Sequence, residues 1–329
     1  MIIGLNMCNV MIVGSNGQDG RLLFERLESE GCTLLGIAPS DIRHTLPNGD
    51  VFDRPIDILN RAAVDHAVRT FSPDTIFYLA GYHHASEDEL QLDNAALYLR
   101  SHDIHVGGLL NVLESARKHA PGARIFYAAS SHCFGEPPTD LQDEATPLSP
   151  GCPYGISKTA GVQLCRMYRA RHALRASCGF LYNHESPLRT SNFISMKIVR
   201  AAVEIYRGQR SKLTVGDLSA RTDWGYAPDY IDAMIRILQR DAADDFIIAT
   251  GQCHSVEDFV SIAFSHLKID WRQYVEVDPS LITKSKPFRT LVGDSTKLRA
   301  LTGWSPSVTF QEMVQVLVDA EVQRAFTRP

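Results

Sequence analysis

The sequence predicts an α/β protein: a doubly wound parallel sheet with a smaller lobe built mostly from the C-terminal third of the chain. Two observations predict this fold class. Through residues 1–182, short apolar runs alternate with longer amphipathic segments, which is the pattern of strands separated by helices. The apolar runs are continuous rather than interrupted by polar residues, and such runs are typical of parallel strands buried on both faces.

The individual elements follow from the same pattern. Strands are predicted at residues 10–13, 33–37, 75–80, 124–129 and 173–181, and helices at residues 21–30, 62–70, 93–119 and 154–172. An irregular polar stretch follows, and after it come a helix near 193–207 and a further strand at 246–249. A capping box, Thr309-x-x-Glu312, predicts the start of a C-terminal helix.

Composition and charge exclude several classes of function. The 329 residues are 44% hydrophobic, which is enough to bury a sizeable core. A net charge of −5 without basic clusters argues against nucleic acid or a membrane surface as a partner. The apolar start lacks a basic leader, no run reaches the length of a membrane span, and the seven scattered cysteines form no C-x-x-C pair. We therefore expect a soluble, cytoplasmic protein with free thiols.

A glycine-rich turn directly follows the first predicted strand. Gly14, Gly17 and Gly20 lie in GSNGQDG, just before a predicted helix. Pyrophosphate binding requires such a tight turn, a close backbone approach and free N–H groups at the start of a helix. An ordinary strand–helix turn is the alternative, but the context favours a Rossmann-like domain over residues 1–182, with the strand near 246–250 added to it. Residues 183–329 then form mainly a substrate-binding lobe.

The predicted cofactor is NAD or NADP. An acidic residue at the end of the second strand favours NAD and an arginine favours NADP, whereas GIAPSD, with Arg43 slightly later, shows neither pattern cleanly. The predicted cofactor-binding residues are Gly14, Gly17, Gln18, Asp19, Gly20, Arg43, Asp50, Val51, Leu79, Ala80, Gly81, Tyr154 and Lys158.

A redox core is predicted from Ser130, Tyr154 and Lys158. Tyr154 and Lys158 are four residues apart in PYGISK, so on a helix they share one face. A nearby ammonium and an oxidised nicotinamide favour the tyrosine phenolate, which can then take a sugar hydroxyl proton. Ser130, at the end of a predicted strand, can hydrogen-bond the same oxygen. The alternative is an ordinary helix with a surface pair.

Several motifs in order along the chain resemble those of the GDP-mannose 4,6-dehydratases, which are extended short-chain dehydrogenase/reductases: GSNGQDG, Ser130, YGISK, NHESP, TDWGYAPDY, FIIATGQCHSVEDF and LTGWSP. The resemblance implies a nicotinamide cofactor regenerated in each turnover, with NADP slightly favoured. It also implies a nucleotide-hexose substrate, with a GDP-sugar as the first choice, and a helix-mediated homodimer or homotetramer.

The resemblance also assigns roles to single residues. Ser130 matches the family's catalytic threonine, Tyr154 its base and Lys158 its lysine, while Asn183 and Lys197 match positions that contact the nucleotide diphosphate. The full set of predicted substrate-binding residues is His83, His84, Asn183, Arg189, Asn192, Lys197, Arg221 and Arg289.

The sequence departs from the family at the position of the base that removes the C5 proton. The family has a glutamate there, and this chain has His132. A histidine can act as an acid or a base near neutral pH, so either His132 takes over the role or only redox chemistry at C4 remains. The paired arginines after the second strand are Pro39 and Ser40 here, and the arginine before DWG is Thr222, next to Arg221. Lys284 and Pro287 align with a later arginine and glutamate, so the nucleotide need not be GDP.

Three functions remain open. The first is a nucleotide-sugar 4,6-dehydratase in which His132 replaces the glutamate, and the second is a C4 oxidoreductase or epimerase. The third is a catalytically silent NAD(P)-binding regulator, which the retention of Ser130, Tyr154 and Lys158 disfavours. No metal site is expected, because the histidine pairs His83–His84 and His102–His105 have no matching set of carboxylates or cysteines; His83 and His84 are assigned to the sugar pocket instead.

Overall fold

Seven strands form one sheet in the computed structural model, which describes residues 9–45, 55–82, 93–282 and 291–327. The strands are β1 (Asn9–Val13), β2 (Thr33–Ile37), β3 (Ile42–His44), β4 (Thr75–Tyr78), β5 (Arg124–Ser130), β6 (Leu141–Gln142), β7 (Arg175–Leu181), β8 (Asn183–Glu185), β9 (Leu213–Val215), β10 (Arg221–Thr222), β11 (Trp224–Tyr226), β12 (Asp245–Ile248), β13 (His254–Ser255), β14 (Val275–Val277) and β15 (Val292–Gly293). The helices are α1 (Gln18–Ser29), α2 (Arg61–Phe71), α3 (Asn94–His102), α4 (Leu109–His119), α5 (Pro153–His172), α6 (Ile194–Tyr206), α7 (Ala227–Gln239), α8 (Val256–His266), α9 (Thr296–Thr302) and α10 (Phe310–Thr327).

The order of strands in the large sheet is β12-β7-β5-β4-β1-β2-β3. All neighbours are parallel except β2 and β3, which pair antiparallel at one edge. The chain moves outward from β1 to β2 and then returns to the other side of β1 to form β4. In sheets of this kind, ligands bind at the carboxyl ends of the strands where the direction reverses, so the fold places a binding crevice after β1 and β4.

Helices cover both faces of the sheet and bury two apolar clusters. One cluster contains side chains of α2, α4 and α5, including Val68, Leu113 and Val162. The other contains side chains of α1 and α7, including Leu27 and Met234. A third cluster lies apart from the sheet, where α6, α8 and α10 pack around Trp224. Its members come from the C-terminal half of the chain, and they form the core of the second lobe.

The predicted doubly wound α/β fold is confirmed, and so is the capping box. The Thr309 backbone N–H donates to the Glu312 carboxylate and the Glu312 N–H donates to Thr309 Oγ1, at 2.9 and 3.3 Å. Strand β12 joins the edge of the large sheet beside β7. The division at residue 182 stays a prediction, since α7 lies beyond it in sequence yet packs on the sheet.

Some predicted boundaries were wrong. The helix predicted at 93–119 is divided into α3 and α4 by a π-helical segment, Asp103–Gly108. The strand predicted at 173–181 begins at Arg175, because Ala173 ends α5 with a positive φ of 53°. The pattern also missed α7, α8 and α9 as separate helices. No helix of the described residues is long and apolar enough to cross a membrane.

Candidate active site

The glycine turn between β1 and α1 is shaped by two close backbone approaches. Gly14 has a φ of +94°, and a Cβ atom there would lie 2.7 Å from the Ala80 nitrogen. A Cβ atom on Gly20 would lie 2.2 Å from the Gly14 carbonyl oxygen. Any other residue at either position would displace these backbone atoms, so only glycine fits. The turn therefore lies directly against residues 79–81, which follow β4, and brings the two predicted halves of a cofactor cradle together.

Helix α1 begins at this cradle without a side-chain cap. Its N-cap residue, Gly17, is exposed and has no side chain that could accept a hydrogen bond from the N–H groups of the first turn. The N-terminus of a helix carries partial positive charge and outward-pointing N–H groups, which suit a phosphate. Arg43 lies on β3, opposite Gly36, with its guanidinium 4.0 Å above the Phe24 ring. The predicted cofactor residues Asp50 and Val51 lie outside the described residues.

Gln18 and Asp19 have protein partners in the NHESP segment. The Asp19 carboxylate lies 3.0 Å from Nε2 of His184, which is on β8. The Gln18 side-chain amide donates to the His184 carbonyl at 3.2 Å and accepts from the Ser186 hydroxyl at 2.9 Å. These contacts connect the glycine turn to β8 and to Ser186, which follows it. They show a structural role for both side chains that the sequence did not reveal.

The three predicted redox residues come together at the carboxyl end of β5. Ser130 is the last residue of β5, and its hydroxyl hydrogen-bonds the Tyr154 side chain. Lys158 is buried one turn further along α5, where Nζ donates to the Ala128 carbonyl at 2.7 Å and lies 5.7 Å from the Tyr154 ring centroid. The four-residue spacing thus places tyrosine and lysine on the helix face that packs against the strand end.

Burial controls the electrostatics of this group. It lowers the pKa of Lys158 to about 8, although the nearby Cys133 and Asp19 side chains act in the opposite direction. Burial also raises the pKa of Tyr154, while the hydrogen bond from Ser130 and the positive charge of Arg189 oppose that rise. The charge of Arg189 was not anticipated as an influence on Tyr154. In the chain alone, Tyr154 is therefore a neutral phenol, and a further positive charge nearby is needed to favour the phenolate.

His132 lies beside Tyr154. It belongs to a 3₁₀ turn, Ser131–Cys133, that directly follows β5. Its ring stands edge-on to the Tyr154 ring, with centroids 5.6 Å apart. Its Nδ1 atom lies 3.8 Å from Sγ of Cys152. His132 is partly exposed, so a titratable side chain that solvent can reach lies next to the three predicted redox residues.

His105 is a site residue that sequence reasoning missed. It lies in the π-helical segment, is fully buried, and stands edge-on to Tyr154 at 5.2 Å. The Tyr82 backbone N–H donates to Nε2 at 3.0 Å, so Nδ1 carries the proton and donates to Ser157 Oγ at 2.8 Å. The Ser157 hydroxyl in turn donates to the Tyr154 carbonyl at 2.9 Å. The adjacent glycines, Gly107 and Gly108, were the signal that this helix is irregular.

The predicted substrate residues are spread more widely. Arg189 acts on Tyr154 through its charge; its Nε is 3.4 Å from the buried Glu185 carboxylate and its guanidinium is 3.5 Å above the Phe193 ring. Asn183 opens β8, and Lys197 lies on α6. Asn192 is exposed and accepts from the Thr190 hydroxyl at 2.6 Å. Arg221 is exposed on β10 and donates to the Cys253 carbonyl at 2.8 Å. His83, His84 and Arg289 lie outside the described residues, as do Lys284 and Pro287.

The histidines and cysteines in the part of the chain that the structure describes do not form a metal site. No group of three or more histidine, cysteine or acidic side chains there could hold a metal ion. His102 stacks on the Tyr98 ring at 5.9 Å, and His105 makes the hydrogen bonds given above. Six of the seven cysteines lie in the described residues, and all six are free thiols.

Comparison with known proteins identifies the family. A family model described as GDP-mannose 4,6 dehydratase matches residues 11–317. The chain belongs to this family. Relatives among characterised GDP-mannose 4,6-dehydratases include dehydratase 2 of Arabidopsis thaliana, 33% identical over 332 residues that cover 96% of this chain and 87% of the relative. The human GDP-mannose 4,6-dehydratase is 30% identical over 351 residues, covering 97% of this chain and 92% of the relative.

Several solved structures share the fold of this chain. RMD from Pseudomonas aeruginosa, complexed with NADPH, has a TM-score of 0.80 at 19% identity, covering 96% of this chain and 99% of that chain. The dTDP-glucose 4,6-dehydratase from Bacillus anthracis, in complex with NAD, has a TM-score of 0.78 at 18% identity, covering 96% of each chain. The family model and the relatives confirm the resemblance to the GDP-mannose 4,6-dehydratases, and the solved structures confirm the fold.

Proposed function

We propose that this chain is an NAD(P)-dependent enzyme that oxidises C4 of a nucleotide-bound hexose and then eliminates water across C5 and C6. One observation carries the proposal. Ser130, at the carboxyl end of β5, hydrogen-bonds Tyr154, and Lys158 lies one helical turn further along α5. Only β4 separates β5 from β1, the strand that leads into the glycine turn. Membership of the dehydratase family and the NADPH and NAD complexes of the structural neighbours support it.

The glycine turn fits a dinucleotide. The spaces at Gly14 and Gly20, which a Cβ atom would fill, let the backbone come close to a diphosphate, and the uncapped start of α1 presents N–H groups to it. Leu79, Ala80 and Gly81 would line the adjoining strand end. A bound nicotinamide supplies the hydride acceptor for C4 and a positive charge near the phenol.

Tyr154 is the group that moves the proton from the sugar hydroxyl. Its hydroxyl is held by Ser130, which can donate to the same substrate oxygen and align it. Lys158 cannot move away from the site, because it is buried and hydrogen-bonded to the Ala128 carbonyl. Arg189 adds a second positive charge that acts on Tyr154. Together these groups favour the phenolate in the loaded site.

His132 is proposed to remove the C5 proton once C4 is a ketone. Its ring is within 5.6 Å of the Tyr154 ring, so it faces the same bound sugar. The second candidate function is a C4 oxidoreductase or epimerase without dehydration, and the exchange of the family glutamate for His132 is the observation that favours it. A GDP-sugar is the first substrate to test, although the changes at Pro39, Ser40 and Thr222 allow another nucleotide.

The two functions differ in the fate of C5. Purified protein would be incubated with GDP- and UDP-hexoses in deuterated water, and the products read by mass spectrometry. Loss of water together with deuterium at C5 supports the dehydratase. A product of unchanged mass without C5 exchange assigns the epimerase, and a product that has lost only two hydrogens, without C5 exchange, assigns the C4 oxidoreductase. No turnover in a panel of nucleotide sugars contradicts both functions.

We further propose a homodimer or homotetramer formed through helices next to the site, in a cytoplasmic protein with reduced thiols. Tyr98, Leu99, Leu110 and Ile156 are exposed on α3, α4 and α5, and Leu99 is 60% exposed. Apolar side chains of this size on adjoining helices are typical of a surface that a second copy covers. Light scattering would show a monomer for Leu99→Glu if this surface forms the contact.

A further inference from the structure

Cys152 and His132 meet beside Tyr154 although they come from different elements. Cys152 is the N-cap residue of α5, and His132 lies in the turn after β5. The distance from Sγ to Nδ1 is 3.8 Å, which is within hydrogen-bonding range for sulfur. Both side chains are partly exposed, and the His132 ring stands edge-on to Tyr154. A thiol and an imidazole are therefore paired at the edge of the proposed sugar site.

Two glycines hold this arrangement in place. Gly135 has a φ of +59°, and a Cβ atom there would lie 1.8 Å from the Ser149 carbonyl oxygen. A Cβ atom on Gly155 would lie 2.5 Å from the His132 carbonyl oxygen. The first approach brings the segment before α5 against the turn, and the second brings the first turn of α5 against His132. The contact between thiol and imidazole is therefore built into the backbone.

The surroundings of the sulfur suit proton sharing with the ring. Sγ accepts the Gly155 backbone N–H at 3.4 Å, at the N-terminus of a 20-residue helix. A helix N-terminus favours negative charge on a cysteine there. Because Nδ1 is the ring atom that faces the sulfur, Nε2 lies on the opposite side of the ring, away from Cys152. The ring thus has one nitrogen for the thiol and one for another partner.

We propose that Cys152 is a positioning residue for His132, and that the two form the acid–base pair that stands in place of the family's glutamate. The proposal rests on the proposed function. The C5 proton passes to Nε2, while the Nδ1 proton stays shared with Sγ. The electrons of the C5–H bond form the C5–C6 double bond as the C6–O bond breaks, and the departing hydroxyl takes the proton from Nε2 to leave as water.

The buried thiol of Cys133 and phenol of Tyr154 beside the pair stay in one state across the relevant pH range. Burial raises the pKa of the Cys133 thiol and of the Tyr154 phenol, so both are neutral between pH 5 and 8. Burial lowers the pKa of Lys158, which lies near Tyr154, to about 8, so its ammonium is mostly charged between pH 5 and 7. Histidine ordinarily titrates between pH 5 and 7. Because His105 also lies next to Tyr154, a step in that interval in a property of Cys152 is assigned to His132 by its loss in His132→Gln.

The first test uses alkylation and does not depend on activity. Iodoacetamide reacts with the folded chain at pH values from 5 to 9, and mass spectrometry measures the rate at each cysteine. The wild type should show a step in the Cys152 rate between pH 5 and 7 that His132→Gln removes, with a change of at least about threefold at pH 6. Cys32 and Cys253, which are also partly exposed, are internal controls whose rates should be the same in both proteins. Equal Cys152 profiles in the two proteins overturn the proposal.

If the His132→Gln protein does not fold, a second measurement tests the pairing without that variant. In protein labelled with ¹⁵N-histidine, Cys152→Ala should shift the Nδ1 resonance of His132, and Cys32→Ala should leave it in place. An unchanged resonance in Cys152→Ala contradicts the pairing. Cys32 is a suitable control because it precedes β2, at the opposite end of the sheet from the site.

The third test separates the proposal from the function on which it rests. With a substrate that reduces the bound cofactor, Cys152→Ala should lower deuterium exchange at C5 at least about tenfold more than it lowers C4 oxidation. Equal losses in both steps overturn the role of Cys152. If no nucleotide sugar reduces the cofactor, the proposed function fails, while alkylation and the ¹⁵N spectra still decide whether the pair exists.

Discussion

Asp19 and His184 form a largely buried ion pair that joins the glycine turn to β8. His184 Nε2 lies 3.0 Å from both Asp19 carboxylate oxygens, and Nδ1 lies 2.7 Å from the Tyr182 carbonyl oxygen. Both ring nitrogens face acceptors, so both must carry protons and the ring is an imidazolium. Burial by itself opposes the charges, but the charge and hydrogen bond of His184 outweigh it and lower the pKa of Asp19 to about 2. The charge of Asp19 likewise overcomes burial and raises the pKa of His184.

Asp19→Asn should remove a pH-dependent part of the stability. A histidine whose pKa is raised in the folded state stabilises the fold fully at pH values below its unfolded-state pKa of ~6.5. This contribution disappears as the pH rises through the folded-state pKa. An aspartate with a lowered pKa stabilises above ~4 and loses that contribution as the pH falls towards 2. The difference in unfolding free energy between wild type and Asp19→Asn should therefore be largest near pH 5–6, at about 2 kcal/mol. Urea unfolding between pH 4 and 9 measures it.

The control is another aspartate–histidine pair with a similar distance and a different environment. His266 Nε2 lies 2.7 Å from Asp319 Oδ1, but the Asp319 side chain is 61% exposed. Exposed pairs contribute little because water screens them, so Asp319→Asn should leave the unfolding midpoint nearly unchanged at every pH. A difference for Asp19→Asn that is constant from pH 4 to 9 would contradict the ion pair.

Gly20→Ala should destabilise the chain although alanine favours helices. The new Cβ atom would lie 2.2 Å from the Gly14 carbonyl oxygen and 2.7 Å from Ser15 Cα, both backbone atoms that cannot move aside freely. We expect a loss of about 2 kcal/mol in unfolding free energy and weaker binding of NAD(P) in calorimetry. Gly17→Ala is the matched control, because its Cβ atom would lie 3.4 Å from the same oxygen and its φ is −70°. Equal losses for the two variants would show that the close approach is unimportant.

The parts of the site that are local in sequence could be predicted, and the parts that depend on distant contacts could not. The glycine turn and the Tyr154–Lys158 spacing are each encoded within seven residues, and their strand and helix contexts follow from short apolar patterns. The partnership of Gln18 and Asp19 with His184 joins residues about 165 positions apart, and nothing in GSNGQDG indicates it.

Dependence on distant contacts also explains why the sequence did not indicate His105 and the Cys152–His132 contact. His105 belongs to the site because a π-helical segment turns it towards Ser157, 52 positions away, and the regular 3.6-residue pattern gave a continuous helix there. Cys152 meets His132 because of the close approaches at Gly135 and Gly155, which require the folded backbone. Apolar periodicity likewise could not show that α7, which follows the second lobe's first strands in sequence, returns to cover the sheet.

His105→Leu should lower both stability and kcat, although leucine is similar in size to histidine. Leucine fills similar space but leaves the Tyr82 N–H and the Ser157 hydroxyl without the ring nitrogens. We expect a loss of about 1–3 kcal/mol in unfolding free energy. Because the hydrogen bond from Ser157 to the Tyr154 carbonyl is then no longer held in place, kcat for C4 oxidation should fall about tenfold or more while KM changes little. Steady-state kinetics and urea unfolding measure both.

His102→Leu is the control for His105→Leu. His102 lies three residues earlier on the same stretch of helix, is partly exposed and stacks on Tyr98. Its replacement should leave kcat unchanged and alter the unfolding free energy by less than about 0.5 kcal/mol. A kcat for His105→Leu equal to that of the control would show that the chain of hydrogen bonds does not position Tyr154.

Lys158→Met should make the protein more stable at pH 7 while it abolishes C4 oxidation. Burial lowers the pKa of Lys158 from 10.5 to about 8, so the folded chain pays about 3 kcal/mol to keep this ammonium charged. Methionine removes that cost but leaves the Ala128 carbonyl without its donor, which costs about 1 kcal/mol. The net gain in unfolding free energy should be about 2 kcal/mol.

The gain should depend on pH with a defined sign. The pKa of Lys158 is about 8 in the folded chain and 10.5 in the unfolded chain, so between these pH values the unfolded lysine binds more protons than the folded one. The stability of the wild type therefore increases with pH in this interval, and Lys158→Met lacks that increase. The advantage of the variant in urea unfolding should therefore shrink between pH 8 and pH 10. Lys118→Met, at an exposed position on α4, is the control and should show no such trend. A variant less stable than wild type at pH 7, or an advantage that grows towards pH 10, would mean that burial does not penalise the Lys158 charge.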